Sequence, residues 1–276
     1  MSSPLVVSSS PHIRADMSTR RIMANVIGAL VPAGLAGIYF FGARVAAVTA
    51  VSIAACVLSE AVWQKLSGRQ TTVSDLSAAL TGLLLAYNLP PSIPLWMAAA
   101  GGIFAIIIVK QFFGGLGHNI MNPALAGRAM MLICWPVPMT TWTLHGVSGA
   151  TPLAIIKETG QGIPSLLDLF TGGIGGCIGE TSTIALLLGG GYLIWKGIIS
   201  WRIPVVYIAA VAVFSVVFGR SGGPVAEILA GGLMLGAFFM ATDYATSPMT
   251  AMGQIIFAFG CGLIAMLIRA FGGYPG

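Results

Sequence analysis

Nine apolar runs separated by short polar stretches set the pattern of this chain: 22–41, 43–64, 75–89, 93–113, 124–135, 181–198, 203–218, 225–241 and 253–271. Charges fall mostly between the runs, as a bilayer requires of a backbone that must satisfy its own polar groups as helix. Most runs approach the ~20 residues that cross the hydrocarbon. Two are shorter, 75–89 and 124–135, and they are bounded by Pro90-Pro91 and by Pro123 and Pro136. Short apolar segments interrupted by proline form discontinuous helices that line a site at membrane depth. The pattern predicts an all-α, polytopic transmembrane helical bundle of about nine to ten helices. It is one integral membrane domain over 1–276, with 1–21 as an N-terminal segment and 136–180 as one long loop.

An internal echo suggests two related halves. Gly114-Gly115-Leu116 leads to Asn122-Pro123, and Gly231-Gly232-Leu233 leads to Ser247-Pro248. Each places a polar, proline-containing break after a glycine-rich stretch, as in many transport folds.

Composition agrees with the pattern. Hydrophobic residues make up 57% of the chain and charged residues 8%, against about 25% charged in a soluble domain. Mean hydropathy is +0.92, and a soluble fold could not hide that much apolar surface. The net charge of +5 comes from 13 Lys and Arg scattered singly at segment ends, which reads as membrane topology and argues against nucleic acid. The first run is too long for a signal-peptide core and lacks a small-x-small cleavage site, so it is expected to stay as a helix in contact with lipid.

If the N-terminus is cytoplasmic and every segment crosses, eight basic residues fall inside: Arg14, Arg20, Arg21, Lys65, Arg69, Lys110, Lys196 and Arg202. Four fall outside, Arg44, Lys157, Arg220 and Arg269, with Arg128 left within a segment. That asymmetry puts 136–180 on the outer face. Cys56, Cys134, Cys177 and Cys261 are far apart and in or beside apolar runs, without ligand spacing. They read as buried inert thiols, with no metal or cluster.

The candidate chemistry lies in the long loop, where Thr140 to Leu153 reads TTWTLHGVSGATPL. Its small residues allow close approach of a planar ligand, and Thr151 offers a hydroxyl just before a proline that fixes the backbone. The plain alternative is an ordinary turn entering a short helix. His145 nearby could tune a ligand or simply be solvated.

Ser148-Gly149-Ala150-Thr151 resembles the flavinylation motif shared by the D subunits of Rnf electron-transport complexes and the related B subunits of sodium-pumping NADH:quinone reductases. Other stretches resemble the same family in order: Ser10-Pro11-His12 with Ile22-Met23 and Ala29-Leu30-Val31-Pro32; Gly114-Gly115-Leu116-Gly117-His118-Asn119; Met121-Asn122-Pro123-Ala124-Leu125-Ala126-Gly127-Arg128; and Ala241-Thr242-Asp243-Tyr244-Ala245-Thr246-Ser247-Pro248. The length ahead of the first run favours the Rnf branch. The sequence departs from the family's pattern at Tyr274-Pro275-Gly276, where family members continue into a further apolar segment and a basic tail.

The resemblance implies FMN joined to Thr151 through a phosphoester by a separate flavin transferase, with Ser148, Gly149 and Ala150 completing the motif. It further implies electron transfer between reduced ferredoxin and NAD coupled to Na+ or H+ movement across a prokaryotic cell membrane, with a noncovalent riboflavin as a further candidate cofactor. The chain has no dinucleotide fingerprint or cluster ligands. Partner Rnf subunits are therefore expected to supply the NAD site, the iron-sulfur clusters and a second covalent FMN. Thr151 would be an anchor and not a nucleophile, with its phosphate near the N-terminus of a helix starting at Pro152.

Polar groups at membrane depth are functional suspects. Glu60 is a candidate for an ion pathway, although an ion pair or snorkelling beside Lys65 would also explain it. Asp243 sits in the Thr242 to Pro248 break, whose carbonyls and hydroxyls could line an ion or quinone site. Asp75 and Glu227 stand at segment starts, where a carboxylate is often only structural. Arg128 needs a carboxylate, carbonyls or a cofactor to pair with. Asn119 and Asn122 crowd the start of its segment, and Asn122 reads as a helix cap or as a contact to a second flavin. Two rivals to the flavoprotein reading stand beside it: a solute channel or secondary transporter, and a membrane anchor for redox partners.

Overall fold

The computed structural model describes residues 18–144, 147–158 and 164–273. Each of the nine runs is helical within it. α1 (Thr19–Phe41) and α2 (Arg44–Leu66) are antiparallel, followed by the short α3 (Ser77–Tyr87). α4 (Leu95–Phe104) continues as a π-helical segment, Ala105–Gln111, and α5 spans Pro123–Cys134. α9 (Thr183–Trp195), α10 (Arg202–Val217), α11 (Gly223–Leu229), α12 (Leu233–Leu235) and α13 (Ala251–Phe271) complete the bundle.

Among the described residues, α1, α2 and α13 are each long and apolar enough to cross a membrane alone. The run 225–241, expected as a single helix, is a broken pair. α11 and the helix from Leu233 to Met240 meet at 67°, where Gly231 adopts φ +71°, a conformation that costs glycine little. The second half closes as another π-helical segment, Gly236–Met240. Many large apolar side chains point outward along the spans, including Leu35, Leu58, Ile133, Leu188, Val213 and Ile264. Lipid is the solvent that makes such a surface stable.

The loop 136–180 is more structured than its composition suggested. It carries α6 (Pro136–Met139), a two-residue hairpin of β1 (Thr143–Leu144) and β2 (Val147–Ser148), α7 (Pro152–Glu158) and α8 (Leu166–Thr171). α7 contacts the far end of α13 through Lys157 and the Gly272 carbonyl, and Ser221 Oγ donates to Ile156 O at 2.9 Å. α1 and α13 both run toward this end of the bundle. The loop therefore lies on the face opposite the start of α1, and we refer to the two as the N-terminal face and the Thr151 face.

α3 is too short to cross, and the free carbonyls at its buried end are satisfied from the other face. Gly179 N donates to Tyr87 O at 2.9 Å, Cys177 Sγ to Asn88 O at 3.3 Å, and Ile178 N to Leu89 O at 3.1 Å. The loop before α9 thus dips into the bundle and pairs three consecutive carbonyls that lipid could not solvate. Gly179 packs directly on Tyr87, leaving no room for a side chain.

Helix order repeats through the chain: two helices, a short or broken element, then a long helix packed on the second of the set. α2 packs on α3 and α4, α10 packs on α13, and the leading helices α1 and α9 meet each other. Gly114-Gly115 follows a π segment while Gly231-Gly232 splits a helix, so the glycine echo itself does not superpose on this order.

Candidate functional site

Among the described residues, three groups of polar side chains bear on the candidate chemistry. The first lines a cavity at the N-terminal face. Its walls include Leu84, Phe238, Phe239 and Ile199, and its polar rim holds Ser77, Lys110, Asn119, Asn122, Thr242 and Asp243. Asn119 Nδ2 donates to Met121 O at 3.1 Å. Asn122 is the N-cap of α5, its Oδ1 accepting from Ala124 N at 3.0 Å and Leu125 N at 3.3 Å, as the sequence suggested. Asp243 Oδ2 accepts from Thr246 Oγ1 at 3.2 Å. Two segments far apart in sequence, 119–122 and 242–243, therefore meet at one cavity.

Glu60 sits behind that cavity, 1% exposed. Its partner is Lys110 and not the expected Lys65, which is exposed. Lys110 Nζ donates to both carboxylate oxygens, at 2.9 and 3.1 Å, while Gln111 Nε2 and Gln64 Nε2 donate to Oε1 at 2.7 and 3.2 Å. Lys110 and Gln111 are consecutive, so in a regular α-helix they would diverge by about 100°. Both reach the one carboxylate from the end of the π-helical segment, a distortion frequent at functional sites. Glu60 is thus fully occupied by protein donors.

The second set is at the Thr151 face. Glu227, 0% exposed, holds two arginines: Arg220 Nε donates to Oε1 at 2.7 Å, and Arg269 Nη1 to Oε2 at 3.1 Å. Arg269 also donates to Glu227 O and Ala230 O. The sequence pattern reads Lys110, Arg220 and Arg269 as charges that set topology, but each pairs with a carboxylate, Lys110 and Arg269 buried and Arg220 half-buried. The signal missed was pairing across 50, 7 and 42 residues, which no local pattern carries.

Among the described residues, Arg128 bonds to a side-chain amide and to neither a carboxylate nor a backbone carbonyl. Its Nη1 donates to Asn88 Oδ1 at 3.2 Å, and Asn88 Nδ2 in turn donates to Leu84 O at 2.7 Å and toward Met240 Sδ at 3.6 Å. Arg128 therefore marks the meeting of the α3 end with the broken helix and lies outside the first cavity.

The third set is the loop motif. Thr143 pairs with Ser148 and Leu144 with Val147 in the hairpin, so the motif starts on β2 and runs straight into α7. Thr151 is 8% exposed, and its Oγ1 accepts from Ala154 N at 3.2 Å as a cap of α7. Gly149 and Ala150 are exposed, and the space beside Gly149 is open. A hydroxyl at the foot of an open, small-residue turn fits a flavin phosphate joined at Thr151. The helix starts at Pro152, as expected. His145 lies outside the described residues. Of the thiols, Cys56 and Cys177 are buried, Cys261 is intermediate and Cys134 is exposed, so the expectation of uniform burial fails at Cys134.

Residues 6–276 match the NQR2, RnfD, RnfE family. The chain is 56% identical over 279 residues to the D subunit of the Na(+)-translocating ferredoxin:NAD(+) oxidoreductase complex of Acetobacterium woodii, an alignment covering 98% of this chain and 87% of that protein. It is 48% identical over 291 residues to the D subunit of the proton-translocating ferredoxin:NAD(+) oxidoreductase complex of Clostridium ljungdahlii, with the same coverage, 98% and 87%. It is 34% identical over 308 residues to the D subunit of the ion-translocating oxidoreductase complex of Halorhodospira halophila, covering 96% and 86%.

Proposed function

This chain belongs to the NQR2, RnfD, RnfE family, and from that membership we propose that it is the membrane-embedded D subunit of an ion-translocating ferredoxin:NAD(+) oxidoreductase complex. The carrying observation is 56% identity along almost the whole chain to a protein of that name. In this reading Thr151 anchors FMN and the cavity at the N-terminal face takes a noncovalent flavin such as riboflavin. When bound, flavin supplies one- and two-electron transfer. Phe238, Phe239 and Leu84 offer apolar faces for a flat ring and keep water out, while Asn119, Asn122 and Asp243 offer hydrogen bonds to its edge.

The two sites lie on opposite faces, so electrons moving between them cross the bilayer. With the three carboxylate-paired cations set aside, the described cations near the N-terminal side are Arg20, Arg21, Lys65, Arg69, Lys196 and Arg202, against Arg44 and Lys157 on the other. This supports a cytoplasmic N-terminal face and an outer Thr151 face. The subunits for NAD, iron-sulfur clusters and the second covalent FMN, and the flavin transferase, are partners in the same reading. Similar proteins are named for Na+ and for protons, and the proposal takes coupled movement of one of these cations as the class of activity.

The test is a denaturing gel illuminated with ultraviolet light, using chain made in cells that contain the flavin transferase. A fluorescent band that vanishes in Thr151→Ala is the expected result. A dark wild-type band would overturn the flavin anchor and favour the channel or transporter reading, which the broken helices also suit.

A further inference from the structure

From the Glu60 pair at the N-terminal face, a chain of hydrogen bonds continues through Lys110 and Ser77 to Asp75. Lys110 Nζ donates to Ser77 Oγ at 2.6 Å, and Ser77 Oγ stands 2.6 Å from Asp75 Oδ1. An ammonium only donates and an ionised carboxylate only accepts, so the Ser77 hydroxyl proton points to Asp75. All donors therefore run in one direction, from the cavity wall outward. Lys110 and Ser77 are buried and both line the cavity. Asp75 is half-buried beside the exposed Thr72 and Ser74.

The backbone holds this arrangement at a strained point. Leu76, between Asp75 and Ser77, has φ +66° and ψ 4°, the left-handed region that a leucine rarely adopts. Asp75 Oδ1 also accepts from Ser77 N at 2.7 Å, so the carboxylate brackets the turn and aims the hydroxyl. Such outliers cluster where geometry serves a site.

We propose that Asp75, Ser77 and Lys110 form a proton relay joining the cavity to the N-terminal face. The inference rests on the reading of that cavity as a flavin site. A reduced flavin held there would give its electrons to a flavin or iron-sulfur centre of a neighbouring protein in the complex, and its released proton would need a path out of the cavity. Lys110 passes an N–H proton to Ser77 Oγ as Ser77 passes its own to Asp75 Oδ1, and the Lys110 amine recovers a proton from the cavity. Asp75 then releases one to water. One proton moves outward, only N–H and O–H bonds break and form, and reduction runs the same steps backward after the Ser77 hydroxyl turns. Glu60 holds Lys110 in place throughout and acts as a positioning residue.

The experiment uses the purified complex. Flavin absorbance and a pH-indicator dye are followed together after rapid mixing of the reduced complex with NAD+, and acid extraction measures noncovalent flavin. Asp75→Asn keeps the acceptor that brackets the turn but cannot carry the proton. It is expected to slow proton release at least tenfold and enlarge the solvent isotope effect, with flavin content and melting temperature unchanged. Ser77→Ala should also slow proton release, and Ser77→Thr, which keeps the hydroxyl, should restore the rate. Wild-type release in Asp75→Asn, or slowing matched by lost flavin and a lower melting temperature, would overturn the relay. A wild-type complex that yields no noncovalent flavin would overturn the cavity reading, and the relay with it.

Discussion

Lys110 and Glu60 form an ion pair sealed inside an apolar bundle, with Nζ 2.9 Å from Oε1 and neither side chain more than 3% exposed. Burying two charges costs desolvation that their attraction only partly offsets, so such a pair gives little net stability. Removing one partner is different, because the other charge is left buried.

Lys110→Met should therefore destabilise the protein by about 3–5 kcal/mol, read as thermal unfolding in detergent. Glu60→Gln combined with Lys110→Met should recover a large part of that loss, since no uncompensated charge remains. A double variant no more stable than Lys110→Met would count against the pair as drawn.

The approach of α3 to α2 makes a second prediction. A Cβ on Gly82 would stand 2.6 Å from Ile53 Cα and 2.8 Å from Ser52 O, and Ser52 Oγ donates to Gly82 O at 2.8 Å. Both obstacles are backbone and cannot yield, so Gly82→Ala should cost about 1–3 kcal/mol by overpacking. Gly28, whose Cβ would meet nothing within 4 Å, should accept alanine with no comparable loss. Melting curves of the two variants decide the matter.

The cysteines predict a reactivity order. Cys134 is exposed at the end of α5, whereas Cys177 is buried with its Sγ donating to Asn88 O. Burial first, and the Glu180 carboxylate second, push the Cys177 thiol well above 9. Only thiolate attacks maleimide, and a raised value postpones thiolate to still higher pH. N-ethylmaleimide at neutral pH should label Cys134 and spare Cys177, and moderately alkaline pH should leave Cys177 unlabelled until the fold opens. Mass spectrometry of the digested protein reads both sites.

Hydrophobic pattern made the bundle legible because burial in lipid demands long apolar runs, and each of the nine runs contains helix. Pro123 and Asn122 marked the start of α5, and Pro152 the start of α7, because proline and a capping side chain act locally. Pairing was less legible. Glu60 lies close before Lys65 in sequence, yet α2 turns it toward Lys110, 50 residues on. The π segments escaped detection because Ala105–Gln111 and Gly236–Met240 read as ordinary apolar helix. They carry Lys110, Phe238 and Phe239 of the cavity wall. The break at Gly231-Gly232 was hidden for the same reason: glycine is common within membrane helices, and only the 67° bend reveals its use.

Asn122 serves two purposes that substitution can separate. Its Oδ1 caps α5 by accepting from Ala124 N and Leu125 N, and the same residue lines the proposed flavin cavity. Asn122→Asp retains the capping oxygen and, at a helix N-terminus, a favourable charge, but it removes the amide donor and adds a negative charge to the cavity. Asn122→Ala removes both, and loss of the cap alone costs about 1 kcal/mol. The aspartate variant should thus melt near the wild-type temperature while retaining less extractable noncovalent flavin, and the alanine variant should lose on both measures. Equal flavin content in wild type and Asn122→Asp would reduce Asn122 to its capping role and move the recognition of the ring edge to Asn119 and Asp243.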